Sequence, residues 1–300
     1  MSTYGIQKES ITVIKVRLVV VHIGALAAFF VPFDWMLVWL LAASWLIRMF
    51  GVEAGYHRYF SHRAFKTSRA FQFVLGLLGA SSGQRGPLWW AAHHRSHHRH
   101  SDQDGDLHSP RDGFWHAHLG WLLDKKNVDT DLDAVPDFAR YPELRWLNRF
   151  YLVPMLAFLA LLAVGGAYGW FGPNVGAWGA VLWGFFLPTA GVLHVTLAVN
   201  SIAHLRGRMG GSRRFDTTDG SVNHAWLALP TTGASWHNNH HRYGAAARAG
   251  FAWWEVDLSY IGLKMLEACR IVWGLRPVPR EVLAEGRLAG GLPAVRDVAL

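Results

Sequence analysis

Residues 89–100 read WWAAHHRSHHRH, a stretch with five histidines in twelve positions. Within it, His94, His97 and His98 stand at positions i, i+3 and i+4. On an α-helix, residues at this spacing fall within roughly 100° of arc, so a helix presents the three imidazoles on one face. Histidine is concentrated in the same way elsewhere in this chain of 300 residues, in the segments HRYFSH (57–62), NSIAH (200–204) and HNNHH (237–241).

The HNNHH segment repeats the pattern of HRSHH. Its His237, His240 and His241 again stand at i, i+3 and i+4, and Asn200 and His204 of NSIAH share a helical face at i, i+4. A single motif of this kind arises by chance. Two copies of HxxHH together with HxxxxH and NxxxH form a joint pattern that is specific for a metal site.

The HRYFSH segment fits an ideal helix less well, because His57 and His62 are about 140° apart on one. They either straddle a metal site or lie where the helix loosens. With them the number of clustered histidines is too large for one ion with four to six ligands, so the sequence predicts two neighbouring ions. The predicted ligands are His57, His62, His94, His97, His98, His204, His237, His240 and His241.

Two pairs of apolar segments flank the histidine groups. Residues 11–31 and 35–56 form the first pair and residues 150–168 and 175–199 the second, each near the roughly 20 residues that cross a bilayer core. Of the 29 Lys and Arg residues, only Arg48 lies in the interior of the first pair and none lies in the second. By the positive-inside rule, both termini and the histidine groups face the cytoplasm. The net charge of +8 therefore does not require nucleic acid as a partner.

The sequence thus predicts an all-α integral membrane protein with four transmembrane helices in two hairpins and a cytoplasmic helical cap that holds a histidine-ligated di-metal site. Residues 70–90 are predicted as an interfacial or re-entrant helix, and residues 251–275 as a helix along the membrane surface. The single domain, 1–300, comprises an N-terminal tail (1–10), a first transmembrane hairpin (11–56), a cytoplasmic segment with the first two histidine groups (57–149), a second hairpin (150–199), a cytoplasmic segment with NSIAH and HNNHH (200–276) and a C-terminal tail (277–300).

The available donors narrow the choice of metal. Cys269 is the only cysteine, which excludes four-cysteine zinc and iron–sulfur sites. Imidazole suits iron, zinc, copper and nickel alike. A two-metal site at the ends of apolar membrane helices indicates an oxidation of lipid. Zinc has no redox chemistry and could not catalyse such a reaction. We therefore expect two iron ions, as Fe2+ or Fe3+, which zinc or another divalent metal could replace in a purified sample.

At these residues the sequence resembles the membrane fatty acyl desaturases of the stearoyl-CoA desaturase type, particularly their bacterial members. The resemblance covers roughly Met49 to Leu275, in order and with similar spacing. The matching text is GYHRYFSHRAFKTSRAFQ, WWAAHHRSHHRHSDQDGDLHSPRDGFWHAHLGW, NSIAHLRG and SWHNNHHRYGAAARAGFAWWEVD.

The resemblance implies a mushroom-like shape with a buried, kinked tunnel for the acyl chain. It implies that the nine histidines hold two irons and that Asn200 holds a water. The family reaction uses dioxygen and two electrons to remove two hydrogens from adjacent methylenes, most often at Δ9. The acyl chain would be carried by CoA or a phospholipid in a bacterial inner membrane. Electrons would come from a separate carrier, such as a ferredoxin or cytochrome b5 with its reductase.

Five residues are candidate substrate contacts. Trp45 and Met49 lie roughly 18 and 12 Å along a helix before the first histidine group, so either could end the tunnel and limit chain length. Packing against lipid is the alternative for both. Lys125 and Lys126 occupy the place of a basic pair that binds the CoA phosphates in similar enzymes, or they anchor the chain at the interface. Arg95 could contact a headgroup.

Two other functions remain open at this point. A membrane hydroxylase or ketolase of the same histidine-rich superfamily would place labelled oxygen in the lipid, whereas a desaturase would not. A non-enzymatic metal carrier would need polar or acidic ligands within its spans. The second apolar pair contains His194 and otherwise no acidic or basic side chain, which disfavours a carrier.

Overall fold

The computed structural model describes residues 9–205, 209 and 211–290, the last four of these by backbone alone. Most of the predicted N-terminal tail lies outside the described residues, as does the end of the predicted C-terminal tail. The described chain is mostly helical, which agrees with the predicted fold class.

The first apolar hairpin consists of α1 (Ile11–Ala27), a short 3-10 turn (Ala28–Phe30) and α2 (Trp35–Phe50). Ser10 and Asp34 cap the two helices, each through a side-chain oxygen that accepts the backbone N–H two residues further on. Together with the helical turns that continue them, over Ile11–Phe30 and Trp35–Ser61, both helices are long and apolar enough to cross a bilayer.

The second helix extends beyond the boundary predicted at residue 56. A π-helical segment, Gly51–Ser61, continues α2 without a break, and all of its residues are buried. It packs against α3 (Arg69–Ser81). Hydropathy gave no indication of this continuation, because the segment contains polar residues that are buried in the structure. The end of the membrane span at residue 56 stays a prediction.

The contact between the π-helical segment and α3 predicts a strong effect of Gly51→Ala. The new Cβ would lie 2.5 Å from the backbone carbon of Leu78 and 2.6 Å from the backbone nitrogen of Gly79, which cannot move aside as a flexible side chain can. We expect a loss of about 1–3 kcal/mol, seen as a lower thermal midpoint of the detergent-purified protein. Gly176→Ala is the matched control because its Cβ meets nothing within 4 Å. Equal losses in the two variants would contradict the close packing.

The second hairpin consists of α8 (Leu152–Ala167) and a long helix made of α9 (Ala177–Val181), a π-helical segment (Leu182–Phe186) and α10 (Leu187–Ser201). A short helix, α7 (Pro142–Arg149), precedes α8 at a bend of 68°. The described residues therefore contain three helices that could cross a bilayer, or four if α7 and α8 form one span.

Two helices occupy the region predicted as one interfacial or re-entrant helix at 70–90. These are α3 and α4 (Pro87–His100). The break lies near Gly83, whose φ of 77° is a backbone conformation that glycine adopts readily. Pro87 is the first residue of the next helix, where the missing backbone N–H of proline costs no helical hydrogen bond. The glycines and the proline within residues 70–90 thus mark a turn between two helices.

The surface helix predicted at 251–275 is shorter in the structure, where α12 spans Leu258–Ala268. Asp257 caps it by accepting the backbone N–H of Tyr260. The Glu255 carboxylate accepts two preceding backbone N–H groups and so folds that part of the chain into a turn.

Two further features depart from the predictions. The strands β1 (Lys66–Thr67) and β2 (Val272–Trp273) pair in antiparallel fashion, so the fold is not entirely helical. The helix α13 (Arg280–Gly290) replaces the first part of the loose tail predicted at 277–300, because Val282 packs in an apolar cluster of the cap.

The four histidine groups come together in one region of the fold. The π-helical segment after α2 and the end of α10 lead into two of them, and α4 and α11 (His237–Arg242) carry the other two. The remaining short helical elements are α5 (Phe114–His118), α6 (Pro136–Ala139) and the 3-10 turns Pro110–Asp112, Gly120–Leu123, Lys125–Asn127, Ile202–His204 and Ala225–Leu227.

Candidate metal centre

Five imidazoles form a first cluster, in which the potential ligand nitrogens all lie within 4.8 Å of one another. The Nε2 atoms of His62 and His94 are 2.8 Å apart, and those of His57 and His98 each lie 3.0 Å from Nε2 of His240. These five residues are called the five-histidine cluster. Nitrogen atoms that converge in this way can share one cation in the middle.

Four imidazoles form a second cluster of the same compactness, here called the four-histidine cluster: His97, His204, His237 and His241. The Nε2 atoms of His204 and His237 are 2.8 Å apart. The Nε2 atoms of His97 and His241 are buried and have no hydrogen-bond partner. Because a buried polar atom without a partner is costly, these two nitrogens fit a site for a metal ion.

The structure therefore brings together all nine predicted ligands, but it divides each HxxHH motif between the two clusters. His94 and His98 of α4 face one cluster and His97 faces the other. The clusters are neighbours, since the rings of His98 and His241 stack with centroids 4.7 Å apart. The arrangement agrees with two adjacent ions held almost entirely by nitrogen.

The π-helical segment explains the five-residue spacing of HRYFSH. A π-helix closes hydrogen bonds from i+5 to i, and the backbone N–H of His62 donates to the carbonyl of His57 at 3.2 Å. Residues five apart then come onto one face, and the two rings lie 5.0 Å apart. The prediction that the helix loosens at this segment is confirmed.

Carboxylates orient several of the imidazoles through the nitrogen that faces away from the cluster. Four Nδ1 atoms each lie 2.7–2.9 Å from a carboxylate oxygen. The pairs are Glu53 with His57, Asp106 with His97, Asp102 with His204, and Asp219 with His241. These carboxylates fix the tautomer that leaves Nε2 free for a metal.

These four carboxylates were not predicted from the sequence. Glu53 stands one helical turn before His57, and Asp102 and Asp106 lie in the DQDGD segment directly after the second histidine group. Their closeness in sequence to the histidines could have indicated that they contact the imidazoles. Asp219 lies 22 residues before its partner His241, so nothing in the local sequence indicated this contact.

Burial determines the protonation of the cap histidines. It lowers the pKa of His94, His98 and His240 well below the usual value, and that of His241 to about 4. Burial opposes ionisation of Asp219, but hydrogen bonds, chiefly from His241, outweigh it and lower the pKa of this carboxyl. These four imidazoles are therefore neutral near pH 7, which is the form that binds metals.

These pKa shifts predict that acid destabilises the metal-free protein. Imidazoles of the unfolded chain take up protons as the pH falls through about 6.5, while the buried ones stay neutral. The folded state therefore keeps its full stability above about pH 6.5 and loses it progressively below. Thermal midpoints measured on metal-free protein between about pH 8 and 5 should follow this course. A midpoint that stays constant across that range would contradict it.

A cavity reaches the five-histidine cluster, since His94 is among its lining residues. Leu18 of α1 and Leu193 of α10 line the cavity with apolar side chains, and Asn200 also lines it. The role of Asn200 in holding a water stays a prediction.

Two polar residues of the cavity were not predicted. The Gln84 side-chain amide donates to the Thr196 hydroxyl at 2.9 Å, and both residues line the cavity. They lie 112 positions apart in the sequence, so no local pattern connects them. Their hydrogen bond fixes one point of the cavity wall.

The two predicted chain-length residues lie outside the wall of this cavity. Trp45 donates its indole N–H to the carbonyl of Pro230 at 3.1 Å, and it packs with Met49, Val192 and Trp90. Trp90 lines the cavity and therefore separates it from this apolar cluster. Met49 is fully buried, so the alternative of lipid-facing packing is wrong for it. A role in limiting chain length stays a prediction.

Arg95 contacts the protein through all three of its guanidinium nitrogens. They donate to both Asp137 carboxylate oxygens and to the carbonyls of Phe60, Ser61 and Ala134. The structure therefore favours a role in joining α4 to the neighbouring cap segments over contact with a headgroup.

Lys125 and Lys126 are exposed, as either predicted role requires. They follow Leu122, which lines the cavity, by three and four residues. Lys126 lies 3.2 Å from the Asp124 carboxylate, a surface ion pair of little strength. Contact with an anionic group of the substrate stays a prediction for both.

A sequence profile described as fatty acid desaturase matches residues 33–258. The chain is 37% identical over 251 residues to the sn-1 stearoyl-lipid 9-desaturase of Anabaena variabilis, covering 82% of this chain and 86% of that protein. It is 35% identical over 258 residues to the sn-2 palmitoyl-lipid 9-desaturase of a Nostoc species, with coverage of 83% and 86%. Similarity extends to another reaction, since the hex-5-enoyl-[acyl-carrier protein] acetylenase of Moorena producens is 36% identical over 263 residues, with coverage of 83% and 80%.

Proposed function

Because this chain belongs to the fatty acid desaturase family, we propose that it introduces a cis double bond at Δ9 of a saturated acyl chain carried by a membrane lipid. It is an oxidoreductase that acts on acyl chains with dioxygen. The observation that carries the proposal is the cavity whose lining includes His94 of the five-histidine cluster. The two similar enzymes that act at position 9 of lipid-linked chains support the position and the carrier. Acyl-CoA is the alternative carrier.

Two iron ions held by the nine histidines would supply the activation of dioxygen. The overall reaction consumes one dioxygen, two electrons and two protons, takes two hydrogens from neighbouring methylenes, and releases two waters. The electrons would come from a separate ferredoxin- or cytochrome b5-type carrier. The cytoplasmic side of a bacterial inner membrane is the proposed location of the cap.

The protein chain itself determines how the acyl chain is positioned relative to the metal site. An unactivated methylene has no charge or hydrogen-bonding group, so its position must be set by the shape of the cavity. The Leu18 and Leu193 side chains exclude water there, and the Gln84–Thr196 hydrogen bond fixes the wall between α10 and the turn before α4. The carboxylates behind His97, His204 and His241 hold these rings with Nε2 directed inward.

The test is expression of the full chain in a host that cannot make unsaturated fatty acids, followed by mass spectrometry of its lipids. A new Δ9 monoene on phospholipid supports the proposal, and a monoene on CoA alone would move the carrier to acyl-CoA. Cells grown under labelled dioxygen distinguish the rival reaction. Labelled oxygen in the acyl product without a new double bond would identify a hydroxylase or ketolase and overturn the proposal.

A further inference from the structure

The two histidine clusters differ in the carboxylates that stand behind them. In the four-histidine cluster, His97, His204 and His241 each have a carboxylate within hydrogen-bond distance of Nδ1. In the five-histidine cluster, Glu53 behind His57 is the one such carboxylate among the residues that the structure describes. Three of four imidazoles are supported in this way in one cluster, and one of five in the other.

The three carboxylates of the four-histidine cluster are themselves held in place by backbone N–H donors. Asp102 accepts the N–H of Gly220 at 2.6 Å, and Asp106 accepts the N–H of Asp102 at 2.8 Å. Asp219 accepts the N–H of Ser221 at 2.9 Å. These bonds stabilise ionised carboxylates that cannot easily turn away, so their charges are fixed features of the site.

A carboxylate that accepts the N–H of an imidazole raises the basicity of the opposite ring nitrogen. It also brings a negative charge close to any cation that the ring binds. Both effects stabilise a bound cation, and they strengthen with the number of carboxylates. The clusters therefore offer unequal sites, with three carboxylates behind the rings of one and a single carboxylate behind a ring of the other.

We propose that the four-histidine cluster is the tighter of the two metal sites and fills first when metal is scarce, with Asp102, Asp106 and Asp219 as its positioning residues. This inference rests on the proposed two-metal centre. One consequence is that a preparation with a single equivalent of metal holds it mainly in the four-histidine cluster. The five-histidine cluster, which the cavity reaches, then loads last and completes the centre.

The experiment titrates metal-free, detergent-purified full chain with Co2+, whose visible absorption reports each bound equivalent. We expect two steps whose affinities differ by at least about tenfold. Asp219→Asn, which removes the charge and keeps the shape, should weaken the first step by about 10–100-fold and leave the second in place. Glu53→Gln is the matched control and should weaken the second step alone.

Two ligand variants identify the sites independently of the carboxylates. His97→Ala should remove the tight step, and His62→Ala should remove the weak one. Equal affinities for the two equivalents, an unchanged first step in Asp219→Asn, or loss of the tight step in His62→Ala would each overturn the inference. Absence of any monoene in the host assay would instead overturn the proposed function and leave the order of metal binding to stand.

Discussion

His97→Ala and His240→Ala are each expected to abolish the unsaturated product in the host assay, although the two residues belong to different clusters. Loss of a residue that only orients a ligand already reduces metal affinity or activity by about 10–100-fold. Loss of the ligand itself should therefore cost at least about 100-fold in product formation. Because the proposed reaction needs both ions, we expect that neither cluster can replace the other.

His100→Ala is the control for these variants. His100 lies on the same helix as His97, but its Nδ1 interacts with the backbone carbonyl of Ser96 and it belongs to neither cluster. We expect wild-type product from it. Metal analysis of the purified proteins should show that each of His97→Ala and His240→Ala loses about half of the bound metal. Full metal content with undiminished product in either variant would contradict the assignment of these histidines as ligands.

The spacing of the histidines was sufficient to identify the nine that the structure brings together, because positions i, i+3 and i+4 lie on the same side of a helix. Spacing could not predict that His97 and its neighbour His98 face different clusters. That division depends on where α4 lies between the π-helical segment and α11, which is set by packing over long sequence distances. The sequence therefore predicted the members of the site better than their distribution.

Hydropathy identified apolar segments that the structure shows as long helices, since a bilayer core demands long uninterrupted apolar segments. It gave no indication of Gly51–Ser61, where buried polar residues continue a helix in the π form. It also gave no information about the cavity, because Gln84 and Thr196 meet only after the chain has folded. The surface helix is shorter than predicted because the Asp257 carboxylate accepts backbone N–H groups and forms a turn there. The periodicity of apolar residues does not indicate such side-chain hydrogen bonds.

Filling the cavity without disturbing the metal centre should also abolish product. Leu193 of α10 lines the cavity, and the larger indole of Leu193→Trp would occupy space that the acyl chain needs. Because the position of the methylenes depends on shape alone, even a small displacement is expected to cost about 100-fold in rate. The histidines are untouched by this change, so the bound metal should remain at the wild-type level.

Leu161→Trp is the matched control, since Leu161 lies on α8 with 53% of its surface exposed and does not line the cavity. Its product should stay at the wild-type level. Lipid analysis of both variants in the same host, together with metal analysis of the purified proteins, distinguishes a blocked cavity from a lost metal centre. Normal product from Leu193→Trp would mean that the acyl chain reaches the histidines by another route, whereas loss of metal would show that α10 had moved. Product loss with full metal is the expected result, because the cavity determines where the acyl chain lies and the histidines determine what reacts with it.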